Sequence, residues 1–281
     1  MQASREWSPP GGTLGEILER TRERVASLDK ARPVSGGTVE LKEVGPRPYA
    51  EQPSLRLALY SRPDVGVIAE IKRRSPSKGL LSADLDAGLQ AEAFERGGAA
   101  AISVLTEPHF FGGSLEDIQA VAAATKLPIL RKDFHISVSQ LGESYEAQAS
   151  SILLIARALP PQELATLIHM AKEAHLDAVV EVRTERELER ALEFRARIIG
   201  VNSRNLETLE VDERIPERLV PMIPPHVIAI WESGVESADD VRRAAAAGAD
   251  AVLVGSVLSR SDDPEALVRS LTGVPRRPRR G

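Results

Sequence analysis

Charged side chains lie at the ends of short apolar runs in this sequence, and their types suit proton transfer. Glu70 and Lys72 lie at the end of the run VIAEI (67–71), and Lys132 follows PILR (128–131). Groups of opposite charge in one buried cavity shift one another's pKa and can exchange protons with a substrate. Polar residues mark the ends of later runs in the same way: Glu181, Asn202, Ser203, Arg204, Glu232 and Ser233. A single charged strand end could be a structural salt bridge, but the repetition predicts a shared polar cavity.

Two serine–glycine pairs follow the last two apolar runs. Ser233-Gly234 comes after the seventh run and Gly255-Ser256 after the eighth. Glycine lets backbone N–H groups approach a ligand closely, and the serine hydroxyl adds a donor. The pairs therefore predict a phosphate site, with Lys72 as the countercharge. Ordinary tight turns are the alternative, because glycine is common after strands.

Eight apolar runs, alternating with amphipathic segments, must position these residues. Strands that are apolar throughout are buried on both faces, as in a parallel sheet, and alternation with helices gives βαβ units. Eight such units close into a (β/α)8 TIM barrel, whose active site lies at the carboxyl ends of the strands. The runs are VIAEI (67–71), AISVL (101–105), PILR (128–131), SILLI (151–155), AVVEV (178–182), IIGVN (198–202), VIAIW (227–231) and AVLV (251–254).

The chain divides into three predicted parts. Residues 1–60 form an N-terminal extension, residues 61–273 form the barrel, and residues 274–281 form a basic, disordered tail. Within the extension, a connector over 31–53 separates one amphipathic helix from a short second helix near 53–60. The first helix presents an apolar face at helical spacing, formed by Leu14, Ile17, Leu18, Thr21, Val25 and Leu28.

Composition excludes several kinds of chemistry. The 281 residues include no cysteine, which excludes disulfides and thiol catalysis, and the five histidines show no metal-ligand spacing. The formal net charge of −5 gives no sign of a nucleic-acid partner. The apolar runs are far shorter than a membrane span, and the first residues do not resemble a secretory signal. We therefore expect a soluble, cytoplasmic protein with no metal site.

Several motifs resemble those of indole-3-glycerol-phosphate synthases. The most specific are VIAEIKRRSPSKG (67–79), LRKDF (130–134) and GVNSRNLETL (200–209). ISVLTEPHFFGGSL (102–115), VEV (180–182) and ESGV (232–235) add to the resemblance, and all occur in the family's order. The resemblance extends from about Val67 to Pro264, and the first helix is similar to the N-terminal extension of this family.

The resemblance implies a reaction without a cofactor. The family converts 1-(2-carboxyphenylamino)-1-deoxyribulose 5-phosphate to indole-3-glycerol phosphate, CO₂ and water. By resemblance, Lys132 is the general acid that protonates the substrate carbonyl, although Lys72 remains an alternative donor. Glu181 serves the second proton transfer, with Glu70 in support. Asn202, Glu232 and Ser233 then orient the substrate and the lysine.

The resemblance also implies how the substrate is held. Arg204 and Ser75 bind the benzoate carboxylate, a task that suits a guanidinium group. The phosphate is bound by Lys72 with Gly234, Gly255 and Ser256. The aromatic ring lies against Phe111, Phe134 and Leu206, for which plain core packing is the alternative.

Some positions depart from the family pattern. His135-Ile136-Ser137 replaces the common Ile-Ile-Asp after the KDF motif, and Trp231 precedes Glu232 where alanine is more frequent. The indole of Trp231 points either into the cavity, where it would change the pocket, or into the helix layer.

Two other functions fit the same scaffold. One is another phosphate-binding barrel enzyme, such as phosphoribosylanthranilate isomerase, although that family uses a cysteine base. The other is a non-catalytic binder of phosphorylated ligands, which needs neither Lys132 nor Glu181. The sequence leaves open a monomer or an association with other tryptophan-pathway enzymes.

Overall fold

Eight parallel strands form a closed barrel in the computed structural model, which describes residues 7–32, 53–82 and 84–279. Each strand pairs with the next along the chain, and the last pairs with the first. The strands are β1 (Gly66–Ile71), β2 (Ala101–Leu105), β3 (Ile129–Lys132), β4 (Ser151–Ile155), β5 (Asp177–Val182), β6 (Ile198–Asn202), β7 (Ile228–Glu232) and β8 (Ala251–Val254). The predicted TIM barrel is confirmed, and each predicted run agrees with a strand to within one residue.

Burial explains why these runs form strands. All residues of β1, β2, β4, β6, β7 and β8 are buried, so both faces of each strand are covered. The barrel closes where Val67 of β1 pairs with Val252 of β8. Branched aliphatic side chains fill such a surface well, and their burial from water drives the closure.

Helices cover the outside of the barrel and begin at recognisable caps. Ser114 and Ser237 each form a capping box with an aspartate three residues later, and Thr184 caps a third helix. Gly248 ends the ninth helix in the left-handed conformation, with φ of 91°. The helices are α1 (Gly12–Ala31), α2 (Leu55–Tyr60), α3 (Ala87–Arg96), α4 (Leu115–Ala124), α5 (Ser139–Glu146), α6 (Pro161–Glu173), α7 (Glu185–Glu193), α8 (Arg214–Leu219), α9 (Ala238–Ala247) and α10 (Pro264–Leu271).

Helix α1 packs against the carboxyl end of the barrel. Its predicted apolar face is buried at Leu14, Ile17, Leu18, Thr21 and Val25, whereas Leu28 is only half-buried. The backbone N–H of Thr13 donates to the carbonyl oxygen of Glu207, which lies beyond β6, at 3.2 Å. Most of the predicted connector, residues 33–52, lies outside the described residues.

The C-terminal segment differs from its prediction, because residues 274–279 pack against the barrel. Arg276 and Arg279 both form ion pairs with Asp250, which lies just before β8. The Arg279 side chain is only 3% exposed, and it also donates to the carbonyl oxygen of Val227 at 2.6 Å. A buried carboxylate needs a partner of opposite charge, so these arginines are held at the amino end of the barrel. The prediction of a disordered tail is therefore wrong for residues 274–279.

We expect Arg279→Ala to lower the free energy of unfolding by about 2 kcal/mol, because it removes charged hydrogen bonds from a buried carboxylate. Urea denaturation at neutral pH measures this change. The exposed Arg277 provides the control, since Arg277→Ala leaves Asp250 paired. Equal stability of the two variants would show that Arg279 contributes nothing to the packing of the segment.

Candidate active site

A cavity of about 700 Å³ opens at the carboxyl ends of the strands. It brings together every site residue that the sequence indicated: Glu70, Lys72, Ser75, Phe111, Lys132, Phe134, Glu181, Asn202, Arg204, Leu206, Glu232, Ser233, Gly234, Gly255 and Ser256. These residues come from seven of the eight strands and the loops that follow them, and only β4 contributes none of them. The barrel topology alone makes them neighbours, and the role of each one remains a prediction.

Lys132 lies at the centre of the charged part of the cavity. Its Nζ atom is 3.1 Å from Oε2 of Glu232 and 3.3 Å from Oε2 of Glu181. Burial opposes the charged form of Lys132, but the carboxylates of Glu232, Glu181 and Glu70 outweigh it and raise the lysine pKa. The amino group of Lys132 is therefore protonated at neutral pH.

Glu232 is the carboxylate whose protonation changes near neutral pH. Burial raises its pKa to about 7, with Lys132 acting in the opposite direction and Glu181 adding to the rise. Among the described residues no hydrogen-bond donor reaches its Oε1 atom. A proton on Glu232 would let it donate to Glu181, so the two carboxylates can share one proton.

Gly200 of β6 makes room for Glu232. A Cβ atom at Gly200 would lie 1.9 Å from Oε1 of Glu232, so any larger residue would displace the carboxylate. In the sequence, Gly200 is distinguished only as the first residue of the motif GVNSRNLETL. Its contact with β7 depends on strand register, which pairs Gly200 with Ile230.

A second ion pair lies beside the predicted phosphate loops. The Nζ atom of Lys72 is 2.5 Å from Oε1 of Glu70, and both side chains are largely buried. A Cβ atom at Gly255 would meet Oε1 of Glu70 at 2.2 Å and Nζ of Lys72 at 2.9 Å. The glycine therefore lets both side chains lie against the end of β8, next to Ser256.

The loop after β7 has an unusual backbone conformation. Ser233 and Gly234 have positive φ angles of 67° and 78°, which are uncommon for a residue other than glycine. The Ser233 hydroxyl donates to Oδ1 of Asn202 at 2.9 Å, which holds the end of β7 against the end of β6.

Asn202 also orients the loop that carries Arg204. The backbone N–H of Arg204 donates to Oδ1 of Asn202 at 2.9 Å, and its Nη1 donates to the carbonyl oxygen of Leu209 at 2.9 Å. Burial lowers the Arg204 pKa, although the carboxylate of Glu70 acts in the opposite direction. A desolvated guanidinium with free donor positions is suited to a carboxylate ligand.

Apolar side chains form one wall of the cavity. The rings of Phe111 and Phe134 have centroids 6.2 Å apart and are tilted by 36°. Leu206 lies on the same cavity, and Ile17 of α1 contributes from the N-terminal extension. Such a surface suits a flat aromatic group.

Three polar side chains of the cavity were not among the predicted site residues. Lys78 lines the cavity and its Nζ atom is 3.5 Å from Oε1 of Glu236; its position in the motif SPSKG was the available signal. Asp133 and Thr13 also line the cavity. No local pattern brings α1 to this end of the barrel, so Thr13 could not have been found.

The direction of Trp231 is now resolved. Its indole is 1% exposed and lies in the helix layer, where the guanidinium of Arg243 on α9 is 5.9 Å from the ring centroid. Successive residues of a strand point to opposite sides, so Glu232 points into the cavity and Trp231 away from it. The bulky residue therefore does not reduce the pocket.

The described residues include neither a membrane-spanning helix nor a cluster of metal ligands. Over residues 7–32, 53–82 and 84–279, no helix is both long and apolar enough to span a membrane. In the same part of the chain, no three histidine, cysteine, aspartate or glutamate side chains are grouped so that they could hold a metal ion.

The fold and the cavity define a (β/α)8-barrel enzyme with a buried cluster of lysine and glutamate side chains and glycine-containing loops at the carboxyl ends of its strands. More particularly, the chain belongs to the indole-3-glycerol phosphate synthase family, whose model matches residues 14–271.

Relatives with the same name are similar to this chain over nearly its whole length. An indole-3-glycerol phosphate synthase of Kineococcus radiotolerans is 46% identical over 264 residues, covering 92% of this chain and 94% of the relative. The indole-3-glycerol phosphate synthase of Mycolicibacterium smegmatis is 43% identical over 259 residues, covering 92% of this chain and 93% of the relative. Thiamine phosphate pyrophosphorylase from Pyrococcus furiosus resembles the structure with a TM-score of 0.56 and 15% identity, over 78% of this chain and 96% of that one. This last similarity shows the fold alone.

We expect Glu232 to make stability depend on pH. Its pKa rises from an ordinary 4.5 to about 7 in the folded protein, so the folded state binds more protons between these values. The free energy of unfolding should therefore fall as pH rises from 5 to 8, by on the order of 2 kcal/mol from this group. Urea denaturation at both pH values should show a smaller fall for Glu232→Gln.

The rim residue Glu236, whose side chain is 59% exposed, is the matched control. Glu236→Gln should keep the pH dependence of the unmodified protein. A Glu232→Gln variant with that same dependence would mean that Glu232 does not hold a proton in the folded state.

Proposed function

We propose that this chain catalyses the ring closure of 1-(2-carboxyphenylamino)-1-deoxyribulose 5-phosphate to indole-3-glycerol phosphate, with release of CO₂ and water. The reaction makes it a carbon–carbon lyase of the carboxy-lyase type. One observation carries the proposal: a buried, protonated Lys132 lies between two carboxylates, in a cavity that is also lined by the glycine-containing loops after β7 and β8 and by an aromatic wall. A site for binding alone would not require that arrangement.

The first step forms the new ring. The ring carbon that bears the carboxylate attacks the carbonyl carbon of the ribulose chain, and Lys132 donates its proton to the carbonyl oxygen. A carbon–carbon bond forms, the carbonyl becomes a hydroxyl group, and loss of CO₂ returns its bonding electrons to the ring. The lysine is suited to this step because its pKa is held high until the substrate carbonyl displaces its carboxylate partners.

The second step removes the new hydroxyl group as water. An acid donates a proton to the hydroxyl, which leaves as water, and Glu181 takes a proton from the neighbouring CH₂ carbon of the new ring, so that the carbon–carbon double bond of the indole forms and the ring keeps its N–H. Glu181 is 5% exposed at its side chain and contacts Lys132, so a proton can pass between the two groups. Glu232 supports this transfer, since its raised pKa lets it hold or release a proton near neutral pH. Glu70 provides a further negative charge near the lysine.

The remaining residues position the substrate. The phosphate is assigned to Lys72 with the backbone of Gly234, Gly255 and Ser256, and the benzoate carboxylate to Arg204 and Ser75. The aromatic ring lies against Phe111, Phe134 and Leu206. Asn202 and Ser233 hold the ends of β6 and β7 together through their 2.9 Å hydrogen bond. Placing reacting groups in contact in this way lowers the entropic part of the barrier.

The catalytic unit is proposed to be a single copy of the chain. The described residues of one chain supply the acid, the bases and the binding groups that these steps use. Contacts with other tryptophan-pathway enzymes remain a prediction. The proposed location is the cytoplasm, because a phosphorylated substrate does not cross membranes unaided and must be used where it is made.

We expect Lys132→Ala to lower kcat by roughly 10²–10⁴-fold, because the general acid is lost. The assay mixes the purified protein with the carboxyphenylamino-deoxyribulose phosphate and records indole fluorescence. Lys126→Ala is the control, since Lys126 is exposed on the outside of the barrel. Near-normal turnover by Lys132→Ala would remove this lysine as the proton donor. No turnover by the folded, unmodified protein would favour a binder of phosphorylated ligands.

Lys72→Ala should act mainly on binding. We expect KM to rise about tenfold or more, because a buried cation opposite the phosphate is lost, while kcat changes by much less. Inorganic phosphate should inhibit the unmodified protein competitively and the variant only weakly. If kcat falls as far as in Lys132→Ala, Lys72 is the proton donor instead.

A further inference from the structure

Helix α1 is joined by polar contacts to the segment that follows Lys132. Nη2 of Arg24 lies 2.8 Å from Oδ1 of Asp133, the residue directly after Lys132. Further along the helix, Asp29 accepts a hydrogen bond from the Ser137 hydroxyl at 2.6 Å. Arg32, at the end of α1, pairs with Glu146. The N-terminal extension therefore runs alongside the chain from the end of β3 to the end of α5.

Asp133 is the most enclosed of these contacts. Its carboxylate is fully buried, and Oδ1 accepts from Arg24 and from the backbone N–H of Phe134 at 2.8 Å. Its other oxygen, Oδ2, accepts from the Thr106 hydroxyl at 2.7 Å and from Arg131 at 3.0 Å. Burial opposes the charged form, but the two arginines keep the Asp133 pKa well below its usual range. The Asp133 carboxylate is therefore charged, and each of its two oxygens is paired with a different arginine.

Arg131 cannot take over the role of Arg24. Its guanidinium is fully buried and already donates to Glu143 at 2.7 Å and to the hydroxyl of Ser144 at 2.9 Å. It reaches only the Oδ2 side of Asp133. Within the described residues, Arg24 is the one cation paired with Oδ1. Loss of Arg24 leaves this oxygen with a single backbone donor.

The position of Asp133 gives this contact a consequence for Lys132. Lys132 is the last residue of β3, and its carbonyl oxygen accepts from the backbone N–H of Thr106 at 3.2 Å. Beyond this bond the chain leaves the barrel, so side-chain contacts at Asp133 determine where the strand ends. The Nζ atom of Lys132 must lie between Glu181 and Glu232, and a shift of its backbone moves it away from them.

We propose that Arg24 is a positioning residue for Lys132, through which the N-terminal helix holds the end of β3 in its reactive place. The inference rests on the proposed function, since it assigns Arg24 a part in the action of the general acid. Helix α1 is then a component of the catalytic arrangement in addition to forming part of the cavity wall. Arg24 itself does not line the cavity, so it acts through Asp133.

The test compares two variants that each remove one ion pair between the α1 segment and the barrel. Arg24→Gln should lower kcat roughly tenfold and leave KM within about twofold, because the substrate-binding groups are untouched. Arg24→Lys should recover part of the lost kcat, since a cation returns beside Asp133. Arg32→Ala is the matched control, because it removes the pair with Glu146 and leaves Asp133 in place.

Hydrogen exchange provides a readout that does not depend on activity. Backbone amides of residues 131–135 should exchange faster in Arg24→Gln and at the normal rate in Arg32→Ala. A general loss of stability would change both variants alike. Absence of turnover in the unmodified protein would contradict the proposed function, and the exchange rates would still report on the role of Arg24.

Two results would overturn the inference. One is unchanged exchange at residues 131–135 in a folded Arg24→Gln variant. The other is a fall in kcat that is equal in Arg24→Gln and Arg32→Ala, which would make the contact a general tether of the helix.

Discussion

The attraction between a buried ammonium group and the carboxylates around it is the interaction on which the site depends. Burial opposes the charge of Lys132, and the carboxylates of Glu181 and Glu232, within 3.3 Å of its Nζ atom, stabilise that charge. The same charges keep the lysine from being a strong acid until a ligand intervenes. Under the proposed function, a substrate that separates the lysine from these carboxylates makes the ammonium a stronger acid.

The barrel makes it possible to bury several charged side chains close together. Charged side chains this close together must come from strands whose carboxyl ends lie at the same level along the barrel axis. Each side chain must also be positioned by contacts with an adjacent strand. Glycines provide the necessary space: Gly200 accommodates Glu232, and Gly255 accommodates the pair of Glu70 and Lys72. The closed hydrogen-bonded ring resists the displacement that crowded charges would otherwise cause.

Stability and reactivity occupy opposite ends of the barrel. At the amino end, Asp250 is paired with Arg276 and Arg279, and this cluster holds the C-terminal segment against the barrel. At the carboxyl end, the charges face a cavity and one carboxylate has an oxygen without a donor among the described residues. Buried charged groups whose atoms all have hydrogen-bond partners stabilise the fold. Buried charged groups with an unpaired atom remain able to bind a ligand.

The sequence by itself determined the barrel and the members of its cavity. Apolar runs recur with helices between them, and charged residues at their ends gather at the common mouth, as Lys132, Glu181 and Glu232 do. Arg131 is an exception, since it points outward to α5. Only the tertiary structure decided the contacts between distant segments: Arg24 with Asp133, Arg279 with Asp250, and Trp231 with Arg243. Local periodicity records which face of an element is buried. It does not record which side chain from elsewhere in the chain will meet that face, because such pairing depends on the packed geometry of the whole barrel.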